Sequence, residues 1–133
     1  MEHIFETKVY YFDTDSYGIV WHGAYVKWFE MGRVDFFNLL GENLDELKEQ
    51  NVQFPVVNLS LRYKASARFG DVLLIKTTIE KLTKFSIAFK HQVYNKNDNK
   101  LLVIGTSEVV ITNLEGKLLR KMPENLYCKF FDC

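Results

Sequence analysis

Two carboxylates stand two residues apart in Tyr11-Phe12-Asp13-Thr14-Asp15-Ser16-Tyr17-Gly18-Ile19-Val20-Trp21-His22. A turn glycine and a histidine follow them, directly before a long apolar helix expected from near Gly23. A helix N-terminus offers unpaired backbone N–H groups and a partial positive charge. A carboxylate held beside such donors can attack a carbonyl, or activate water to attack it, while the donors stabilise the oxygen. That is the chemistry of acyl transfer, with Asp15 and His22 as the candidate catalytic positions. Other readings of the two aspartates fare worse. A calcium loop D-x-D-x-[DN]-G would need a ligand where Tyr17 stands and a bidentate glutamate where Ala24 stands. A haloacid-dehalogenase phosphotransferase needs a doubly wound parallel sheet and a longer chain. A turn in which both side chains accept from backbone N–H groups is the plain structural alternative, and for Asp13 it is the expected one.

The remaining candidates are weighed against ordinary structural roles. The His22 ring could orient water or assist the leaving group, or only its backbone N–H could matter. Glu30, about two turns into the helix, could supply a carboxylate, but pairing with Lys27 or Arg33 at helical spacing is the more common fate. His91, between Lys90 and Gln92, and His3 are expected to be solvated or packed, and three scattered histidines give no zinc spacing. Arg62, Lys64, Arg68, Lys81 and Lys84 flank strand ends, where cations can meet phosphates. No G-x-S-x-G elbow occurs. Cys128 and Cys133, close together near the C-terminus, are expected to be reduced and inert.

The elements that must position these residues follow from the hydrophobic pattern. Phe5 to Tyr11 reads as a strand. Ala24 to Leu40 is helical and apolar on most sides, as a buried helix is. Gly32 inside it costs about 1 kcal/mol relative to alanine, so close approach of another backbone is expected there. Gly41 stops the helix, and Asn43-Leu44-Asp45-Glu46 opens a short second helix to about Gln50. From Asn58 to Lys64 apolar and polar residues alternate with the period of a strand. Strands are expected again at Val72 to Leu82, Phe85 to Tyr94 and Leu101 to Thr112, joined by polar turns. A short terminal segment closes the chain. The apolar face of such a sheet needs a cover, and only the first helix is large enough to provide it. The fold class is therefore α+β, a long central helix wrapped by a curved antiparallel sheet.

With 133 residues, 47% of them apolar and 15% aromatic, the chain is expected to form one domain, 1–133, with an ample core. The 17 basic and 17 acidic residues cancel, which argues against general nucleic-acid or anionic-membrane binding. The N-terminal residues contain no long apolar stretch, so neither a signal peptide nor a membrane span is expected, and the location is expected to be cytoplasmic.

Asp13-x-Asp15-x-x-Gly18-Ile19-Val20, with Tyr25 seven residues after Gly18, resembles the signature of 4-hydroxybenzoyl-CoA and YbgC-type acyl-CoA thioesterases, which are hotdog-fold enzymes. The order of elements matches over nearly the whole chain. One departure stands out: many relatives carry Asn where this chain has Ala24. The resemblance implies an acyl-CoA thioesterase with Asp15 as the catalytic carboxylate, acting as general base or nucleophile. It places the His22 N–H where the thioester carbonyl is polarised, and substrate contacts at Gly18, Val20, Trp21, Tyr25 and, for coenzyme A, Lys84. It implies no metal or other cofactor, since the coenzyme arrives with the substrate. It also implies a homo-oligomer, a dimer or a dimer of dimers (homotetramer), because a sheet with open edges must pair or cover them. Within this reading a 1,4-dihydroxy-2-naphthoyl-CoA hydrolase is a close variant. A non-catalytic acyl-CoA-binding domain and a hotdog dehydratase are the rivals, and the His-Phe-Pro segment typical of the dehydratase is absent.

Overall fold

A computed structural model describes residues 1–131. Five strands form one antiparallel sheet: β1 (Glu2–Lys8), β2 (Val56–Tyr63), β3 (Val72–Leu82), β4 (Ser86–Asn95) and β5 (Leu101–Val110), in the spatial order β1-β3-β4-β5-β2. Helix α1 (His22–Leu39) crosses one face of it, α2 (Leu44–Glu49) follows, and α3 (Glu124–Phe131) closes the far end. This is the expected helix wrapped by a sheet. Gly41, at φ +78, turns the chain out of α1, and the Asn43 side chain caps α2 by accepting from Asp45 N–H at 2.8 Å and Glu46 N–H at 3.2 Å. No helix among the described residues is long and apolar enough to cross a membrane.

The core divides along the length of α1. Tyr25, Trp28 and Phe29 meet Leu73, Ile75, Val93 and Val103 at one end. Phe36 and Phe37 meet Ile87, Phe89, Val109 and Leu126 at the other. Between them lies a polar layer. His91, fully buried, has Nδ1 3.0 Å from the Thr77 hydroxyl and Nε2 2.7 Å from the Ser107 hydroxyl. Phe29 stacks on its ring at 4.3 Å and 8°. Burial, and secondarily the charge of Arg33, push its pKa down to about 3, so the imidazole is neutral, donating through one nitrogen and accepting through the other.

Two glycines make this layer possible. A Cβ on Gly105 would fall inside the Phe29 ring, 2.5 Å from Cζ. A Cβ on Gly32 would meet the Thr77 hydroxyl. The close neighbour of Gly32 is thus a side chain on β3, not the backbone expected from the sequence.

Other expectations are corrected in detail. The first strand ends at Lys8, paired with Val72, and not at Tyr11, because Tyr11–Asp13 coils into a 3₁₀ turn that carries the first aspartate inward. The terminal segment is the helix α3, whose Leu126 is buried. Cys128, on α3, is disulfide-bonded, which corrects the expectation of a reduced thiol there; Cys133 lies outside the described residues.

The two sheet edges differ. Residues of β1 alternate between exposed and half-buried, whereas every residue of β2 except Leu61 is exposed. Val56, Leu59 and Tyr63, on the side facing α1, are 42%, 39% and 53% exposed.

Candidate active site

The turn after the first strand is fixed by its own backbone. Asp15 N–H donates to the Ile19 carbonyl at 2.9 Å, Gly18 N–H to the Asp15 carbonyl at 3.0 Å, and Tyr17 N–H to Asp15 Oδ1 at 2.8 Å. Gly18 closes the turn at φ +78, a conformation glycine adopts without steric cost. Val20 N–H donates to Ala67 at 2.9 Å and Trp21 N–H to Asp13 at 3.0 Å. These bonds dock the turn on the segment after β2 and lead it straight into α1.

The two aspartates separate into different environments. Asp13 is buried, accepting from Lys27 Nζ at 2.9 Å through Oδ1 and from Tyr10 N–H at 3.0 Å through Oδ2. Lys27 lies over the Phe12 ring at 5.0 Å, so one cation fastens the turn to the helix. Both Asp13 oxygens are thus engaged, one by a backbone N–H of the turn and one by Lys27. Asp15 is exposed, and its Oδ2 has no partner among the described residues.

Asp15 faces a cavity of about 270 Å³ lined by Ile19, Val20, Trp21, His22, Tyr25, Tyr63, Ala65 and Ser66. The floor is aromatic. Tyr25 is buried, edge-on to both Trp28 and Tyr63 at 5.5 and 5.8 Å. Burial pushes its phenol up to about 12, with the Ala67 backbone pulling the other way, so it is neutral at every physiological pH. Burial also raises the Tyr63 phenol. At the N-terminus of α1, the His22 and Gly23 N–H groups donate to nothing among the described residues. They are the orphan donors that every helix start leaves. A carboxylate with an oxygen unpartnered among the described residues, a residue with an open amide donor (His22) and an aromatic floor therefore line one recess.

Of the sequence-derived site residues, Asp15, Val20, Trp21, His22 and Tyr25 line this cavity, and Gly18 shapes the turn behind it. Lys84 does not join them. The cavity is lined from the turn after β1, the start of α1 and the end of β2, whereas Lys84 follows the Leu82 end of β3, opposite the Val72 end that pairs with Lys8 before that turn. Ile19, inside the motif, also lines the cavity, and so do Tyr63, Ala65 and Ser66, which the sequence does not single out. Nothing local marks them; only the pairing of β2 with β5, which carries the end of β2 round to the start of α1, brings them in. Glu30 is exposed on α1 and makes no ion-pair contact among the described residues: Lys27 is taken by Asp13, and Arg33 feels Glu30 only as a nearby charge. His91 is packed, and His3 lies 3.7 Å from Asp35 on the helix flank.

The comparisons with known proteins bear on the family and the fold. Residues 17–102 match the model of the thioesterase superfamily. The acyl-CoA thioester hydrolase YbgC of Escherichia coli is 29% identical over 123 residues, covering 92% of this chain and 91% of its own. The crystal structure of Slr0204, a 1,4-dihydroxy-2-naphthoyl-CoA thioesterase from Synechocystis, superposes with a TM-score of 0.88 at 21% identity, over 99% of this chain and 97% of its own. A 4-hydroxybenzoyl-CoA thioesterase superposes with a TM-score of 0.84 at 20% identity, over 96% and 97%. A family match over more than half of the chain, on a helix-in-sheet fold with a carboxylate turn at the helix start, identifies this protein as a member of the hotdog-fold thioesterase superfamily.

Proposed function

We propose that this protein hydrolyses acyl-CoA thioesters in the cytoplasm, with Asp15 as general base or nucleophile and the His22 N–H as oxyanion donor. The observation that carries the reading is that one cavity is lined by both Asp15, whose Oδ2 has no partner among the described residues, and His22, whose N–H is open at the start of α1. As general base, Asp15 takes a proton from water as the oxygen adds to the thioester carbon. The carbonyl electrons move onto an oxygen held by the His22 N–H. Collapse breaks the C–S bond, and the proton passes to the departing thiolate. As nucleophile, Asp15 itself adds, releases the thiolate and leaves an anhydride that water cleaves. The His22 ring lines the cavity and is available to orient the water. Neither route calls on a metal or redox cofactor.

The working unit in this reading is one domain, 1–133, paired through β2 with a second copy, and two such dimers form the homotetramer. The open edge and uncovered inner face of β2 support the pairing. Antiparallel β2 strands related by a two-fold axis bring the Leu82 end of one chain's sheet beside the Tyr63 end of the other. The partner subunit's Lys84 then reaches the mouth of this site, where it serves the phosphates of coenzyme A. Arg120 and Lys121 accompany it, since Met122 N–H donates to the Lys84 carbonyl at 2.9 Å.

The test is thiol release from a panel of acyl-CoAs. Asp15→Asn should lose about two orders of magnitude in kcat, a usual general-base contribution, with fold and assembly intact. Asp13→Asn should lower the melting temperature and cost much less kcat. Equal losses in kcat and melting temperature for both would make the pair a structural turn. Wild-type turnover in Asp15→Asn with loss in Glu30→Gln would move the carboxylate onto the helix. Absence of thiol release from the wild-type chain would favour a binding domain.

A further inference from the structure

The second residue of α1 is a glycine, although alanine there would favour the helix by about 1 kcal/mol. A Cβ on Gly23 would fall inside the Trp21 indole, against Cη2 and Cζ3 and 2.7 Å from Cζ2. The Trp21 side chain, rooted at the residue before the helix, folds back over the bare Cα of Gly23 and stands edge-on to His22 at 5.3 Å. It is 43% exposed and lines the cavity that holds Asp15. Two of the other walls cannot yield cheaply. Val20 is bound through its backbone to Ala67, and Ile19 is bridged to Arg68. The Trp21 backbone is held likewise, its N–H donating to the Asp13 carbonyl, but the indole itself makes no hydrogen bond among the described residues.

We infer that Gly23 is a positioning residue for Trp21 and thereby sets the length of acyl group that this chain accepts. The inference rests on the cavity being the acyl site. The missing methyl lets the ring lie against the first turn of the helix as a wall of a recess of about 270 Å³. Restoring the methyl drives out a ring that turns on two side-chain bonds, so the indole swings and the backbone stays. The recess then lengthens along the helix start, and longer acyl groups gain contact that the folded ring denies them.

Gly23→Ala should keep or raise the melting temperature, increase acrylamide quenching of Trp21 (Trp28 being 1% exposed), and raise the octanoyl-CoA to butanoyl-CoA ratio of kcat/KM about tenfold or more, the usual worth of apolar contact in such pockets. Trp21→Leu should shift the ratio the same way, and adding Gly23→Ala to it should change nothing further. An unchanged ratio or unchanged quenching in Gly23→Ala overturns the inference. So does a shift that persists in the Trp21→Leu background, or a Gly23→Ala chain that fails to fold. Asp15→Asn separates the two layers of the argument: it should depress turnover of both substrates with the ratio preserved. Full turnover in that variant would refute the site itself, whatever the ratio does.

Discussion

Lowering the pH from 7 to 5 should remove about 2 kcal/mol of folding stability through His91 alone, by the linkage between its depressed pKa and folding. In the folded protein the imidazole sits among Phe29, Phe89, Thr77 and Ser107 with the Arg33 charge nearby, and its pKa is about 3 against an ordinary 6.5. Between those values the unfolded chain binds a proton that the folded chain refuses, so stability rises with pH across the window. The contribution is complete above pH 6.5 and is lost progressively as the pH falls towards 3. Each unit is worth about 1.4 kcal/mol, and because pH 5 lies well above the folded value, the folded chain stays unprotonated there and the loss follows the unfolded chain alone. Urea midpoints of wild type and His91→Gln, taken from pH 5 to 8 at one protomer concentration, isolate the effect, since contributions common to both chains cancel. The variant should be the less stable at pH 7, having lost the Phe29 stacking, and should narrow the gap by about 2 kcal/mol at pH 5. A gap that stays constant with pH would refute the assignment of a neutral, proton-refusing His91.

Other expectations concern assembly and packing. Lys84→Glu should raise KM for acyl-CoA while sparing turnover of a short pantetheine thioester, because a contact remote from the thioester contributes uniform binding. If Lys84 serves the partner's site, mixing Lys84→Glu with Asp15→Asn chains should restore about a quarter of wild-type activity at low substrate, since half the dimers are then mixed and one of their two sites is intact; no recovery after subunit exchange would refute the seam. Gly32→Ala should destabilise by about 1–3 kcal/mol through overpacking against Thr77, less about 1 kcal/mol of helix propensity. Thr77→Ala in the same chain should relieve most of that clash, and a higher melting temperature for Gly32→Ala alone would contradict it.

Much of this was legible because the signals were local. The alternation from Asn58 to Lys64, the caps at Asn43 and Gly41 and the polar turns between strands each announce themselves within a few residues, and the structure follows them closely. The cavity was half legible for the same reason: Asp15, Val20, Trp21, His22 and Tyr25 come from one continuous stretch. Tyr63 and Ser66 were not, because their place depends on β2 leaving the chain order to pair beyond β5. The separation of Lys84 from Asp15 has the same origin, a length of strand that no motif encodes. Glu30 failed differently. Helical spacing offered it Lys27, but the turn that carries Asp13 claimed that cation from outside the helix.

The contact between Gly105 and Phe29 has a consequence for descent. The ring occupies the volume of any side chain at position 105, and its other face lies on His91. Gly32 in turn leaves room for the Thr77 hydroxyl that holds His91. These five positions are spread over four elements, yet none can change size without answering changes in the others. They should therefore drift as one unit. Among homologous chains, those bearing alanine or larger at position 105 should carry a smaller residue than phenylalanine at position 29, and those that lose the histidine at 91 should lose the hydroxyl at 77 with it.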